Sequence, residues 1–538
     1  MNKRLLIAVL LSIVVLALSS YLAPKQQNKI ESNNTKTELK SQAPAAPKVA
    51  ANNTNVQNNT PTASKAPDAP VISNSKIVAT VETKKYTLKI DNLGRFDSVI
   101  LKEKKYKDDN GNPIDLVTKD AVKPLEVRFK DTKLNELAFK NSYSASANKI
   151  DATNGAKTIT LEQNLDGKVF KKVITFYPDG NYDIKTSIND NQEYYITPGF
   201  RPVVDKTMYM VNRGVLIRDV NGVITIIEDG EAKKPELFNN VTVAAAIDRY
   251  YTTLLYKKSG TFNAAVTPVN KEKYKNDPIV FISANKEASF NGYIGPKEWE
   301  LFSKLDKKLL DVIEFGWLTF LAKPFFMVML AIYKFIGNWG WAIVIFTILV
   351  KLILFPLSYK GLMSMQKLKD LAPKMKEIKE KYGKDPAKMN QQMMELYKKH
   401  GANPMGGCLP MILQIPIFFA LYRVLLNADE LQGAPWILWI QDLSRMDPYF
   451  VLPILMGITM YIQQKITPNT MTDPTQQKIF QWLPAIMTIF FITFPSGLVL
   501  YWLVNNILTI AQQYYVNRKY EQYKQKIKAK KAKASKKA

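Results

Sequence analysis

WGWAIVIFTILVKLILFPLSY, residues 339–359, reads as a membrane-spanning helix that carries a lysine inside it. A hydrocarbon core of roughly 30 Å is crossed by about 20 apolar residues in a helix, and Lys351 is the only formal charge in this run. A charge near the middle of the bilayer costs roughly 2.5–3.5 kcal/mol. Lys351 therefore either extends its ammonium to the cytoplasmic headgroups or serves as a functional cation within the membrane. Thr347 shares its helical face.

Composition limits the classes of function open to the chain. Its 538 residues require several domains, and a formal net charge of +27 favours anionic partners such as lipid headgroups or nucleic acid. The single cysteine, Cys408, excludes an intrachain disulfide and a multi-cysteine metal site. The single histidine, His400, argues against histidine metal sites and histidine-dependent catalysis. We expect no cofactor, no metal and no covalent chemistry.

The N-terminal part predicts an anchor and a tether. Lys3 and Arg4 precede an apolar run, and we interpret residues 1–23 as a retained membrane anchor with its N-terminus inside, the alternative being a cleaved signal peptide. Residues 24–72 contain few large apolar side chains and cannot bury enough surface to offset their ordering entropy. They are expected to be a disordered tether.

Residues 73–297 carry the pattern of an all-β sandwich. Tyr86, Leu88 and Ile90 alternate with polar residues, and Asn-Gly or Asp-Gly pairs such as Asp166-Gly167 recur along the domain. These pairs supply the positive φ angles that two-residue hairpin turns require. Many short strands joined by such turns indicate a large antiparallel sandwich. No catalytic constellation is evident in it, and its ligand or partner is left open.

The segment that follows, residues 298–322, predicts one amphipathic helix in the membrane interface. Leu301, Leu305 and Leu309 repeat along one face, and lysines occupy the other. A packed helix outside the membrane is the alternative, which the apolar sequence directly after it disfavours.

Residues 323–516 predict a membrane core that includes a cytoplasmic helical hairpin at residues 360–405. Pro373 should kink or restart the first hairpin helix. The methionines of the hairpin either pack its two helices together or dock a partner. Four more apolar segments follow, at residues 409–427, 449–464, 479–494 and 498–515. With the N-terminal anchor, the fold class is a polytopic α-helical membrane protein of six spans, five of them in the core.

Basic residues in the short loops set the orientation. The hairpin carries eleven lysines, and the tail at residues 517–538 carries ten basic residues against one acid, Glu521. Both should face the cytoplasm, which leaves the N- and C-termini inside and the sandwich outside, in a periplasm-like space. The tail should be disordered and bind anions.

Polar side chains concentrate in the cytoplasmic halves of the spans. Lys351, Thr347, Gln414, Asn505 and Thr509 all lie there. Because polar side chains in membrane segments usually face the bundle interior or water, this layer predicts a wet cavity that is open to the cytoplasm and closed outside. Ordinary hydrogen bonds between helices are the alternative for any single pair.

Several local motifs of the membrane core resemble the YidC family of membrane protein insertases, in its Gram-negative form. They are NPMGGCLP at 403–410, PIFFALY at 416–422, DPYFVLPILMG at 447–457, TDPTQQK at 472–478 and FPSGLVLYW at 494–502. The resemblance covers residues 315–517 closely, whereas the sandwich and the anchor match in arrangement more than in motif.

The resemblance implies an inner-leaflet groove that contains a basic residue, most often arginine. Lys351 takes that place, which keeps the charge and loses the planar donor fork. A groove tyrosine of the last span corresponds to Trp502, with Tyr501 adjacent. The substrate groove should then comprise Lys351, Thr347, Gln414, Tyr501, Trp502, Asn505 and Thr509. A hydrophobic slide for the apolar segment of a client is expected at Phe418, Phe419, Met456, Ile486 and Phe490.

The implied function is insertion and chaperoning of client proteins in the bacterial inner membrane, alone or with the Sec translocon. The implied partners are nascent membrane proteins, the Sec translocon with its accessory subunits, the ribosome at the basic tail, membrane lipids, and the targeting-particle receptor at the hairpin. The hairpin residues expected to bind are Lys374, Lys381, Lys384 and Met389.

Two rival functions meet obstacles in the sequence. A secondary transporter is expected to contain inverted repeats, and none is evident. A serine protease using Ser496 would need a base, and His400 on the hairpin is predicted to lie on the opposite side of the membrane.

Overall fold

A computed structural model describes residues 66–69, 75–108, 110–204, 211–383, 385–401, 409–467 and 474–535. The predicted anchor at residues 1–23 lies outside these residues, as does most of the predicted tether. The described chain comprises a β-domain, a connecting segment and a helical bundle.

Within the described residues, seventeen strands build the β-domain. They are β1 Ile77–Glu82, β2 Tyr86–Asp91, β3 Phe96–Leu101, β4 Val127–Phe129, β5 Ser144–Ala145, β6 Lys149–Asp151, β7 Lys157–Leu165, β8 Lys168–Phe176, β9 Asn181–Ile188, β10 Glu193–Ile196, β11 Gly214–Asp219, β12 Ile224–Glu228, β13 Glu236–Ile247, β14 Tyr251–Tyr256, β15 Phe262–Pro268, β16 Pro278–Asn285 and β17 Glu287–Pro296. One helix, α1 Thr132–Lys140, interrupts them, with the Asp131 side chain capping its start.

Two sheets form the layers of this domain. The smaller has the order β3-β2-β1-β6, and the larger contains the other thirteen strands. β13 bends at a bulge beside Asn240, so that its first half pairs with β15 and its second half with β11 and β14. Inward residues of both sheets share one hydrophobic core. The predicted sandwich is confirmed.

The hairpin between β7 and β8 shows how the sequence sets the strand register. Asp166 and Gly167 both have positive φ, 57° and 83°, as a type I′ turn requires. The register then places Phe170, Ile174 and Phe176 on the buried face of β8. Lys172 shares that face, and its ammonium donates to the carbonyl oxygens of Gly94 and Leu125 at 2.9 and 2.8 Å. Burial lowers the pKa of Lys172 to about 7.

The connecting segment differs from the single helix predicted over residues 298–322. It contains a short helix, α2 Trp299–Leu305, then 3-10 turns at Lys307–Asp311 and Gly316–Leu318. The helix stops because Asp306 is extended, with φ −166° and ψ 132°, and its carboxylate caps the following turn by accepting from the Lys308 N–H. A second break comes at Gly316, where φ is +74°.

The bundle begins with an apolar helix, α3 Thr319–Ile336, which the sequence analysis did not separate from its neighbours. Both Phe326 and Tyr333 of α3 contact Trp339, the first residue of the next helix, with ring centroids 6.2 and 4.4 Å apart. Phe325 of α3 also contacts Phe346 of that helix, with ring centroids 5.2 Å apart, so α3 runs antiparallel beside its first two turns.

The remaining helices are α4 Trp339–Tyr382, α5 Pro386–His400, α6 Leu409–Asn427, α7 Val451–Ile466, α8 Pro474–Phe491 and α9 Ser496–Ser535. In the described ranges, α3 and α4 are long and apolar enough to cross a membrane, and the apolar stretches Gln414–Asn427 and Ile479–Phe491 are shorter. The count of six spans therefore stays a prediction. α4 continues without interruption through Pro373 into the first helix of the hairpin.

The predicted disorder of the tail is wrong through residue 535, because α9 extends unbroken from the membrane core to Ser535. Contacts with α4 hold its first tail turns. Asp370 of α4 accepts from the Tyr520 hydroxyl at 2.9 Å and from the Lys524 ammonium at 2.8 Å. The lysine-rich segment thus extends a helix that has already formed. It therefore avoids the unfavourable step of nucleating a new helix.

The loop after α6 joins the β-domain to the bundle. Asp429 is buried and accepts from the Tyr106 hydroxyl at 2.9 Å and the Lys105 ammonium at 3.3 Å. The partly buried Glu430 accepts from the Trp299 N–H at 3.1 Å. Burial raises the pKa of the Asp429 carboxyl, and burial together with the Asp429 charge raises the pKa of Glu430 to about 7.

Candidate functional site

Lys351 lies in the first third of α4 and reaches across to α9. Its ammonium donates to the Thr509 hydroxyl at 2.8 Å, and Thr509 in turn donates to the Asn505 carbonyl oxygen at 2.7 Å. Thr347, one turn before Lys351, is buried and donates to the Ile343 carbonyl oxygen of its own helix. The Lys351 ammonium is therefore bonded to a neutral hydroxyl group of the neighbouring helix α9, which does not cancel its positive charge.

α6 contributes the third wall of the site. Gln414 donates to the Asn505 side-chain oxygen at 2.7 Å, which links α6 to α9. Tyr501, one turn before Asn505, is buried on the same side of α9. The polar groups predicted from three separate segments thus meet in one place.

A cavity of about 20 Å³ lies among these three helices, which is room for one or two water molecules. Its polar lining comprises Thr347, Lys351, Ser358, Gln414, Tyr501 and Asn505, and aliphatic side chains complete the wall. The sequence analysis missed Ser358. Its position seven residues after Lys351, two turns along the same face, was the signal that could have found it.

Trp502 occupies a different position from Tyr501. Its ring packs against Phe418 of α6 at 4.7 Å and against Phe491 of α8 at 4.9 Å, so it lies between two helices instead of lining the cavity. Tyr501 lines the cavity, and Trp502 does not. Thr509 reaches the groove through its bond to Lys351.

The residues predicted for the hydrophobic slide separate into exposed and packed groups. Phe419, Ile486 and Phe490 are exposed on α6 and α8, with 37%, 53% and 45% of their surface accessible. Phe418 is half-buried against Trp502. Met456 is fully buried, and its carbonyl oxygen lies 3.4 Å from the Asn506 amide nitrogen of α9. Met456 is therefore a packing residue between α7 and α9, which corrects its assignment to an exposed slide.

Other polar residues of the layer make ordinary bonds between helices. Asn506 donates to the Thr459 hydroxyl of α7 at 3.3 Å, and Gln464 donates to the Phe480 carbonyl oxygen of α8. These pairs hold α7, α8 and α9 together and do not line the cavity. The polar layer thus contains both a groove and a set of interhelical contacts.

The hairpin has an apolar seam and a charged surface. Leu368, Leu371 and Met375 of α4 pack with Met393 and Tyr397 of α5, so these methionines are packing residues. Lys374 lies 3.1 Å from the His400 ring nitrogen, and Lys381 lies over the Tyr382 ring. Met389 is half-buried, and Lys384 lies outside the described residues.

Two family models match this sequence. The model described as the YidC periplasmic domain matches residues 78–328, and the one described as 60Kd inner membrane protein matches residues 331–525. Three curated relatives bear the name "Membrane protein insertase YidC". That of Campylobacter jejuni is 48% identical over 96% of both chains, that of Wolinella succinogenes 51% over 84% of both, and that of Helicobacter pylori 44% over 97% of both.

Proposed function

Since the chain belongs to the YidC family of membrane protein insertases, we propose that it inserts nascent membrane proteins into the inner membrane through the groove around Lys351. The β-domain is a periplasmic domain of this family. The chain would act as a chaperone for the same clients, alone or beside the Sec translocon. The process would be non-covalent, because the groove would bind the client through hydrogen bonds and one charge, and insertion requires no covalent bond to be broken.

The observation that carries the proposal is the ammonium of Lys351, which lies on a helix apolar enough to cross a membrane and donates to Thr509 beside a polar cavity between α4, α6 and α9. Moving a polar chain terminus across a bilayer is costly because the hydrocarbon offers no hydrogen-bond partner. A groove that enters the membrane from the cytoplasmic side shortens the hydrocarbon path. Its hydroxyl, amide and ammonium groups replace water along that path.

A cation in such surroundings also attracts acidic client segments. Coulomb attraction between unit charges about 4 Å apart rises from about 1 kcal/mol in water to about 4 kcal/mol at an effective dielectric constant of 20. Lys351 therefore favours clients whose translocated tail is acidic. Thr347, Gln414 and Asn505 keep the groove polar for the others, so the effect of Lys351 should be graded rather than absolute.

The apolar segment of a client would leave the groove between α6 and α8. Trp502 lies between Phe418 and Phe491 of these helices and adjoins Tyr501 in the groove lining. Beyond it, Phe419 and Phe490 present exposed aromatic surface for contact with an apolar helix.

The lysine bias supports a topology in which the hairpin, the basic part of α9 and both termini would lie in the cytoplasm. The hairpin, with Lys374, Lys381, Lys384 and Met389, would receive the targeting-particle receptor. The basic turns of α9 would contact the ribosome or anionic lipid. Because Asp370 holds Tyr520 and Lys524, hairpin and tail would present one surface to these partners.

The test is insertion into liposomes that contain only the purified full chain, followed by protease protection of a short client. A photo-crosslinking residue at Ser358 in the groove is compared with one at Ile458, an exposed residue of α7. We expect insertion above that of empty liposomes, with the client crosslinked at Ser358 during insertion and not at Ile458. If the client inserts without any crosslink at Ser358, the groove is not part of the insertion route. If the client does not insert at all, the chain has no insertase activity of its own.

A further inference from the structure

A second cavity lies at the border between the β-domain and the bundle. It measures about 450 Å³, which is in the range of roughly 300–1,000 Å³ typical of small-molecule sites. Ile224 and Ile226 of β12 form one wall, Asp311 and Glu314 of the 3-10 segment form another, and Lys323 in the first turns of α3 helps to close it.

Charged groups of both signs lie around this cavity. Asp311 accepts from Arg218 and from Lys323, both at 2.9 Å. Glu314 accepts through Oε1 from the Gly316 N–H at 2.8 Å and the Thr319 hydroxyl at 3.2 Å. Asp311, Glu314 and Lys323 thus face the cavity, and the guanidinium groups of Arg218 and Arg423 lie beside its lining residues. The lysine ammonium has three N–H donors and spends one on Asp311, and Glu314 keeps Oε2 as an acceptor.

Exposed apolar side chains lie close in sequence to the residues that line the cavity. Val220 and Val223 in the turn before β12 are 55% and 59% exposed, and Phe320, next to the lining residue Thr319, is 73% exposed. α3 then continues as an 18-residue apolar helix that runs antiparallel beside the first two turns of α4. Such a border suits the boundary between headgroups and acyl chains.

We propose that this cavity binds the headgroup of a phospholipid that carries both a phosphate and a primary ammonium, the phosphatidylethanolamine class, from the outer leaflet. Lys323 receives the phosphate, and Glu314 accepts hydrogen bonds from the ammonium. A phosphatidylglycerol headgroup has no ammonium with which to donate to Glu314. A choline headgroup has no N–H with which to satisfy Glu314. The apolar border contacts the acyl chains.

The site depends on the placement of the chain in the inner membrane and not on the groove. Its failure and that of the proposed insertion route are therefore distinguishable, because the variants below leave Lys351 and its partners unchanged. A phospholipid bound in this cavity would contact both the β-domain and α3 and so hold them together at the membrane surface.

The experiment is native mass spectrometry of the purified full chain, delipidated and titrated with short-chain phosphatidylethanolamine, phosphatidylcholine or phosphatidylglycerol. We expect saturable binding of the first lipid, at least tenfold tighter than of the other two. Glu314→Gln keeps an acceptor for Gly316 and Thr319 but removes the charge, and it should weaken that binding about tenfold to a hundredfold. Lys323→Gln should do the same, whereas Lys334→Gln, on the exposed end of α3, is the matched control and should change nothing.

Equal affinity for the three lipids, or unchanged binding in both Glu314→Gln and Lys323→Gln, overturns the proposal. Free phosphoethanolamine without acyl chains is the last arm. It should bind at least tenfold more weakly than the lipid, and equal binding would show that the ligand is a soluble phosphate compound and not a membrane lipid. Thermal unfolding of each variant shows whether it loses binding because it misfolds. If Glu314→Gln or Lys323→Gln misfolds, Ile226→Trp replaces it, because the larger side chain fills the cavity from its apolar wall. Ile226→Trp should weaken binding of phosphatidylethanolamine by about the same tenfold to hundredfold.

Discussion

Protonation of Glu430 should tighten the attachment of the β-domain to the bundle. The Glu430 carboxylate accepts from the Trp299 N–H at the start of α2, and it lies beside the buried Asp429. Burial and the Asp429 charge raise the pKa of Glu430 to about 7, from its usual value of 4.5. The perturbation is Glu430→Gln, which keeps an oxygen acceptor for Trp299 and is neutral at every pH.

The magnitude follows from proton linkage. A carboxyl whose pKa is higher in the closed junction binds more protons there than when the junction is open. Its stabilising contribution is complete below about pH 4.5 and is lost as the pH rises through about 7. Each pH unit in that window changes the free energy of opening by at most about 1.4 kcal/mol, or about 3 kcal/mol in total. Glu430 keeps part of its surface accessible, so solvent screening should reduce this to about 2 kcal/mol.

Hydrogen exchange of the peptide covering residues 297–306, corrected for intrinsic rates, measures the opening free energy between pH 5 and pH 7. The wild type should lose protection as the pH rises, and Glu430→Gln should lose clearly less. Asp429 also has a raised pKa, so the difference between the two proteins isolates Glu430. Glu300→Gln, on the exposed face of α2, is the matched control and should follow the wild type. A parallel loss of protection in wild type and Glu430→Gln would refute the reasoning.

Two further predictions concern the cytoplasmic side. In a variant without the native cysteine, single cysteines at Lys384 and Ser535 should resist an impermeant maleimide in intact cells with a permeabilised outer membrane, while one at Ser75 should react; labelling of the first two would reverse the topology. Asp370→Asn removes the carboxylate that Tyr520 and Lys524 share, and since Lys524 is partly exposed we expect only about 0.5–1 kcal/mol of lost docking. Trypsin should then cut the tail faster without loss of the core, and ribosome co-sedimentation at low salt should weaken; an unchanged cleavage rate would contradict docking through Asp370.

Local chemistry allowed part of the fold and site to be predicted. The Asp166-Gly167 turn needs only the conformational preferences of two residues, and the structure has it as predicted. Lys351 and Thr347 share a helical face by spacing alone, and both line the cavity. Residues such as Gln414 and Asn505 could be assigned to a polar layer because the bounds of each apolar segment predict how deep its residues lie in the membrane.

What the sequence could not provide was the direction in which each helix face points and the contacts between distant segments. Met456 is as apolar as a lipid-facing residue, and only packing against α9 shows that it is buried. The tail looked disordered because its composition lacks apolar residues, and the acceptor that holds it, Asp370, lies 150 residues before Tyr520. The bond between Tyr106 and Asp429 spans 323 residues, and no local pattern marks it.

Lys351 is proposed to distinguish client segments in the groove by their charge. The most direct measurement is insertion of one model client with an acidic, a neutral or a basic tail, scored by protease protection against Lys351→Arg, Lys351→Ala and Lys351→Glu. Lys376→Ala, on the exposed hairpin surface, is the control.

We expect Lys351→Arg to insert all three tails. Lys351→Ala should lower insertion of the acidic tail about tenfold, the worth of one charge-assisted hydrogen bond, and spare the neutral tail. Lys351→Glu should be worst for the acidic tail and should favour the basic one. If all three tails respond equally to all three substitutions, Lys351 does not read charge, and extension of its ammonium to the headgroups should replace the present account.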